Sequence, residues 1–177
     1  MSLKLLILKS KFPTSLSPLL LAGLLVTVSD SRAESASGKA NRILVDKSER
    51  TLVLFRNGTP LKTYPVALGG NPVGHKRYEG DQRTPEGIYL IDGKNPDSAY
   101  HLSLHISYPN ERDQRQARER GWDPGGQIMI HGLPTGLMKT SSKYDFDWTD
   151  GCIAVSNAAI EEIWRLVDEG TLIEITP

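Results

Sequence analysis

The single cysteine of this chain, Cys152, sits in the run Thr149-Asp150-Gly151-Cys152-Ile153-Ala154-Val155. One of its four histidines, His131, sits in Ile128-Met129-Ile130-His131-Gly132. Each stretch puts a reactive side chain at the edge of an apolar run, where a strand hands over to a loop. Such a place holds a group firmly yet leaves it reachable. Only the thiolate of cysteine attacks, and a free thiol titrating near ~8.5 is mostly protonated at neutral pH. A histidine within hydrogen-bond reach can take that proton. Titrating near ~6.5, it can then return the proton to a leaving amine. Cys152 is therefore expected as nucleophile and His131 as its acid/base. The competing readings are a buried structural cysteine and a satisfied core histidine. Gly151 has no side chain, so a substrate carbonyl would have room at the backbone. Amides around Gly151 and Cys152 would then stabilise an oxyanion, an effect worth about 3 kcal/mol per donor. Thr149 either holds this turn or supports the reaction directly.

The elements that must position these groups are mostly strands. Ile43–Val45 and Leu52–Phe55 are apolar runs, followed by the hairpin signal Asn57-Gly58 and by alternating Tyr64, Val66 and Leu68. Together they predict a three-stranded meander. Residues 69–86 are rich in glycine, proline and charge and predict a long functional loop. Within it, His75, Lys76 and Arg77 either touch substrate or lie on a solvated surface. Ile88–Ile91 predicts another strand. Leu102, Leu104, Ile106 and Tyr108 alternate with His101, Ser103, His105 and Ser107, which predicts a half-buried one. Asn110 caps a short surface helix over Glu111–Arg120. Gln127–Ile130 is a strand that leads into His131. Ser156 caps a helix whose Ile160, Ile163, Trp164 and Val167 form one apolar stripe, with Gly170 as its stop and Leu172–Ile175 as a last strand. The expectation is a mainly β domain with helical additions and one packing helix near the C-terminus. Trp164 belongs to that helix's core face, whereas Trp148, four residues before Cys152, is the tryptophan placed to meet substrate.

His131-Gly132 followed some twenty residues later by Thr149-x-Gly151-Cys152-Ile153 resembles the signature of the L,D-transpeptidase (YkuD-type) catalytic domain. Upstream, Ile43-Leu44-Val45-Asp46-Lys47, Ala67-Leu68-Gly69-Gly70 and Thr84-Pro85-Glu86-Gly87 resemble that family in the same order. The similarity runs over roughly residues 42–176, nearly all of the chain after its first forty residues. It implies an L,D-transpeptidase-like β sandwich or barrel over residues 42–177. It also implies a substrate, the peptidoglycan stem peptide, whose L-residue carbonyl is attacked ahead of a D-residue, commonly diaminopimelate before D-alanine. An acyl-enzyme thioester on Cys152 would pass to a second amine or to water. His131 would serve as acid/base, with Gly132, Thr149 and Gly151 as oxyanion or support residues and no metal or cofactor. Trp148 and His75 remain the candidates for substrate contact. Two positions depart from the pattern. Members commonly carry His where this chain has Asp150, and many carry Arg or Asn where it has Ala154. An Arg there could bind a substrate carboxylate bidentately. Its absence motivates an alternative, hydrolysis of peptidoglycan or of lipoprotein–peptidoglycan links. A non-catalytic wall-binding module is a third reading.

The first 33 residues differ in kind. Lys4, Lys9 and Lys11 precede a mostly apolar run over Leu19–Val28, which Ser31-Arg32-Ala33 follows. That order reads as a secretory signal, and the run is short of the ~20 residues a spanning helix needs. An uncleaved tether is the alternative. Residues 34–41 are small and polar and read as a flexible lead-in. The expected location is the periplasm or cell envelope, where a lone cysteine is a reactive thiol or an accident. The full chain balances 21 basic against 21 acidic residues, and no basic run tracks nucleic acid. A monomer acting on wall peptides is expected, with a wall-attached lipoprotein as a further possible partner.

Overall fold

A computed structural model describes residues 38–134 and 147–177. The expected export signal at 1–33 and residues 34–37 of the lead-in lie outside the described residues. Ala40 is buried and donates its N–H to the Leu166 carbonyl at 2.7 Å.

The described residues form eight strands and two helices. In chain order they are β1 (Arg42–Asp46), β2 (Thr51–Arg56), β3 (Thr59–Pro65), β4 (Gly87–Asn95), β5 (Ser103–Ile106), α1 (Glu111–Glu119), β6 (Met129–His131), β7 (Ile153–Ala154), α2 (Asn157–Leu166) and β8 (Leu172–Thr176). The strands join in one curled sheet of order β3-β2-β1-β8-β4-β5-β6-β7. This is the mainly β architecture with helical additions that the sequence predicts. Strand β4 is the corner. Its first half, Gly87–Leu90, pairs antiparallel with β8. Beyond a register shift between Ile91 and Gly93, its second half pairs with β5. A bulge of this kind bends a strand, so β4 turns the sheet from the half built on β1, β2 and β8 toward the half that holds His131 and the strand after Cys152.

The core follows from alternation. Strands β1, β2 and β8 each bury every second residue: Ile43 and Val45, Leu52 and Leu54, Ile173 and Ile175. Helix α2 adds Ile160 and Ile163, both fully buried, to the same core cluster. Each such side chain contributes about 1.5–3 kcal/mol over an exposed one. The Ser156 hydroxyl accepts the Ala159 N–H, as an N-cap should. The helix ends at Leu166, well before Gly170, because Val167 takes an extended conformation and turns into the core.

Three expectations shift. The alternation of Tyr64, Val66 and Leu68 is not one strand: β3 stops at Pro65, and Val66, Ala67 and Leu68 are all buried as the chain runs alongside β7. Residue Ser103 breaks the polar alternation of β5, since it is buried directly opposite His131. Helix α1 is capped by Asn110 as expected, in a reciprocal capping box with Asp113, but Asp113 and Ala117 are buried rather than surface residues.

Candidate active site

Strands β6 and β7 run parallel, with Ile130 opposite Ile153 and His131 opposite Ala154. Paired residues point to the same face of a sheet, and so do residues two apart along a strand. Cys152 immediately precedes β7, so the ladder that sets Ala154 opposite His131 places Cys152 beside the start of β6, one diagonal step from His131, while Ala67 covers the far side of β7. The residues come from segments separated by the whole 132–151 stretch, and the parallel ladder is what brings them together.

His131 is buried, and its Nδ1 lies 2.7 Å from the Gly132 carbonyl oxygen. A carbonyl can only accept, so Nδ1 carries the proton and Nε2 keeps a lone pair. Burial holds the His131 pKa below its ordinary 6.5, with the Gly132 hydrogen bond offsetting part of that fall. The ring belongs to a three-ring cluster: it meets Tyr100 at 4.5 Å between centroids and Trp148 at 5.9 Å, nearly edge-on, and the two aromatics meet one another at 6.2 Å. Trp148, the sequence candidate, thus meets the histidine. Tyr100, on the loop between β4 and β5, had no sequence signal beyond its being aromatic.

Cys152 is half-buried, and its thiol donates to the Gln127 carbonyl at 3.4 Å. No hydrogen bond joins it to His131 among the described residues. Burial pushes the thiol above its ordinary 9.0, the Met129 amide pulls it back, and Asp150 pushes it up again. Both shifts favour a neutral thiol beside a neutral imidazole over a preformed ion pair.

The turn that presents Cys152 is built by Thr149. Its hydroxyl donates to the Cys152 carbonyl at 2.7 Å and accepts the Gly151 N–H at 3.1 Å. The Gly151 amide is therefore spent inside the turn. The space beside its Cα is also closed, since a Cβ there would lie 2.6 Å from the Arg83 carbonyl, at a φ of +128° that side chains avoid. Gly151 thus admits a protein backbone where the sequence suggested a substrate carbonyl. The Cys152 N–H has no acceptor among the described residues and is left as the motif's open donor. Gly132 likewise serves close packing, with a notional Cβ 2.7 Å from Asn157 Oδ1. Exchanging Thr149 for Val keeps the shape and orphans the Gly151 N–H, at a cost of about 1–3 kcal/mol. We expect roughly a tenfold loss of turnover in Thr149→Val, recovered in Thr149→Ser, both read against urea midpoints.

The remaining motif segments brace this turn. Ala67 exchanges two backbone hydrogen bonds with Ala154, Gly70 N–H donates to Thr149, and the Trp148 and Thr149 amides both donate to Leu68. A Cβ on Gly69 would fall 2.1 Å from the Gln82 carbonyl and 3.0 Å from Gly151 Cα. The Thr84 hydroxyl accepts the Gly69 N–H at 3.2 Å. Lys47, at the end of β1, is buried and donates to Glu86 and to the Gly74 carbonyl, each at 2.7 Å. Arg50 pairs with Asp147, whose carboxylate also accepts the Leu68 N–H at 2.8 Å.

His75 is engaged elsewhere. Its Nδ1 accepts the Glu86 N–H at 2.9 Å and its Nε2 lies 3.2 Å from Asp113 Oδ1. Lys76 and Asp81 form a buried ion pair that organises the loop. His101 and His105 pair with Glu161 and Asp92 at the surface. Among the described residues no group of three or more His, Cys, Asp or Glu is placed to hold a metal ion.

A family model, the L,D-transpeptidase catalytic domain (YkuD), matches residues 40–175. YafK of Escherichia coli K12, a protein that carries an L,D-transpeptidase name, is 30% identical over 146 residues, which are 79% of this chain and 52% of YafK. Among solved structures, the helical cell shape determining protein Pgp2 from Campylobacter jejuni matches with a TM-score of 0.58 at 27% identity, over 78% of this chain and 48% of that one. Bdellovibrio bacteriovorus Bd1075 matches with a TM-score of 0.55 at 30% identity, over 80% of this chain and 49% of that one. The chain spans about half the length of these relatives.

Proposed function

Because the chain belongs to the L,D-transpeptidase catalytic-domain family, we propose that it is a cysteine transpeptidase acting on peptidoglycan stem peptides in the cell envelope. The observation that carries the reading is the parallel β6–β7 register, which sets the Cys152 turn beside the His131 strand, with the His131 tautomer set by Gly132. The reaction requires the Cys152 thiol to leave the Gln127 carbonyl and reach His131 Nε2. Sγ then attacks the carbonyl carbon of the L-residue while Nε2 takes the thiol proton. The oxygen gains negative charge, and the Cys152 N–H is the donor left to meet it. As the carbon–nitrogen bond breaks, the imidazolium gives its proton to the departing D-alanine amine, leaving a thioester. A second amine loses its proton to His131, attacks the thioester and releases the sulfur, which recovers a proton.

Residues 1–33 support export, and the resemblance to Pgp2 extends the proposal to wall remodelling that bears on cell shape. One observation favours a hydrolytic variant. Ala154 is fully buried against Ala67, so the position that often holds Arg offers no guanidinium to a bound carboxylate. Product analysis separates the two. With a disaccharide tetrapeptide and excess D-amino acid, the transpeptidase releases D-alanine and forms exchanged or dimeric muropeptide. A tripeptide product alone assigns hydrolysis, and no D-alanine release from wild type removes both.

A further inference from the structure

We propose that Tyr100 is a positioning residue for His131, held against the imidazole by a clamp between His101 and Glu161 of α2. Tyr100 reaches the histidine from a strained turn. The Leu102 N–H donates to the Tyr100 carbonyl at 3.0 Å across His101, whose φ is +54° beyond the usual limit of zero for side-chain residues and stands at 71°. A hydrogen bond of this span around a central residue at positive φ is the rarer and more strained form of γ-turn. A residue with a side chain keeps such a conformation only where its surroundings hold it. Two contacts do so here. The Glu161 carboxylate accepts from His101 Nε2 at 2.7 Å. The Leu102 carbonyl accepts the Gly132 N–H at 3.2 Å, which ties the end of the turn to the residue after His131. The His101–Glu161 pair is exposed to solvent, so it adds little as an ion pair, and its effect is to fix a geometry.

Helix α2 holds both partners of the contact. Asn157 and Glu161 are four residues apart and so share one helix face. Asn157 Oδ1 accepts the Leu133 N–H at 2.8 Å, which fixes the chain just beyond His131. Glu161 fixes His101, just beyond Tyr100. Between them Gly132 leaves room for the loop, since a Cβ there would lie 2.9 Å from the Tyr100 carbonyl oxygen. Tyr100 and His131 make the closest of the three ring contacts, with their planes at 42°. Tyr100 is also the outermost ring, 39% exposed against 4% for His131. The Nδ1 hydrogen bond to Gly132 sets the tautomer, but a single hydrogen bond leaves the imidazole free to tilt about it. A ring packed against it restrains that tilt and keeps water away. Burial is the first cause of the lowered His131 pKa, so that pKa is sensitive to loss of the cover.

That His131 must be held still rests on its proposed role as acid/base, but the packing and its effect on the imidazole do not, and the test reads the two separately. The His131 imidazole is titrated by NMR in the full chain, which needs no turnover. D-alanine release from a tetrapeptide is measured across pH in parallel. In Tyr100→Ala the His131 pKa is expected to rise toward 6.5, the acid limb of kcat/KM to move up with it, and kcat to fall roughly tenfold. Tyr100→Phe keeps the ring and is expected to recover most of both. Glu161→Ala releases the clamp without touching Tyr100, and is expected to shift both readouts in the same direction by less. It also keeps the test open should Tyr100→Ala fail to fold. An unchanged His131 pKa in both alanine variants overturns the proposal, and a shift confined to Tyr100→Ala overturns the clamp. A loss in Tyr100→Phe as large as in Tyr100→Ala, or a raised KM with the acid limb unmoved, also overturns it, because the tyrosine is then a substrate contact. The expected pKa shift in a protein with no turnover would sustain the positioning role and end the transpeptidase reading instead.

Discussion

Cys152→Ala is expected to lower D-alanine release from a tetrapeptide by at least ~10⁴-fold, the scale seen when a covalent nucleophile is removed from a site whose parts act as a unit. The same substitution is expected to change stability little, because the half-buried thiol gives up one weak hydrogen bond to the Gln127 carbonyl. Urea midpoints within the error of wild type would establish that the fold survives. Cys152→Ser is the sharper comparison. It keeps size and polarity but presents a hydroxyl that a neutral imidazole activates far less readily than a thiol. A serine variant with near-wild-type turnover would mean that Sγ is not the attacking atom.

The second large effect is at His131. His131→Gln is expected to reduce kcat/KM by about 10²–10⁴-fold, the usual span for a general acid/base. Its wild-type signature is the pH profile. Burial lowers the His131 pKa below 6.5, so the base is competent from slightly acidic pH upward, and kcat/KM rises as pH climbs through that lowered value. Burial raises the Cys152 pKa above 9.0, so the thiol keeps its proton, and hence a proton to pass to the leaving amine, until distinctly alkaline pH. The product of the two is a broad plateau with an acid limb below 6.5 and an alkaline limb above 9.0. These apparent values belong to the coupled pair. Asp150 supplies part of the upward push on the thiol, so Asp150→Asn is expected to move the alkaline limb down and leave the acid limb in place. A single narrow maximum near neutrality would mean that a thiolate–imidazolium pair is the resting state, against the burial argument. A flat loss in His131→Gln with the acid limb intact would place the base elsewhere.

The strands were legible because one-sided burial writes period two into β1, β2 and β8, and helix α2 because its stripe and Ser156 cap are local signals. Cys152 and His131 stood out as candidates for another reason: a lone thiol and a glycine-flanked histidine are unusual residue types in those places. What stayed hidden was the strand register that sets their segments side by side. β7 is a two-residue strand, too short for any periodicity, and its parallel register to β6 is a long-range fact. Gly151 shows the same limit. Its lack of a side chain is visible in the sequence, but that the space admits the Arg83 carbonyl rather than substrate depends on a loop nearly seventy residues away. Val66–Leu68 misled because a chain buried on both sides by bridging to β7 carries apolar residues in succession, so alternation there was accidental. Tyr100 and Asp147 had no local signature. One acts by resting on His131, the other by tying Arg50 to the backbone of Leu68.

The most direct test is intact-protein mass spectrometry of the acyl-enzyme, trapped within the first turnover of a tetrapeptide donor and mapped by digestion. The account predicts an adduct equal to the donor minus D-alanine, on Cys152, with formation at least ~10²-fold slower in His131→Gln and absent in Cys152→Ala. An adduct on another residue, or one that forms at the wild-type rate without the imidazole, would contradict it.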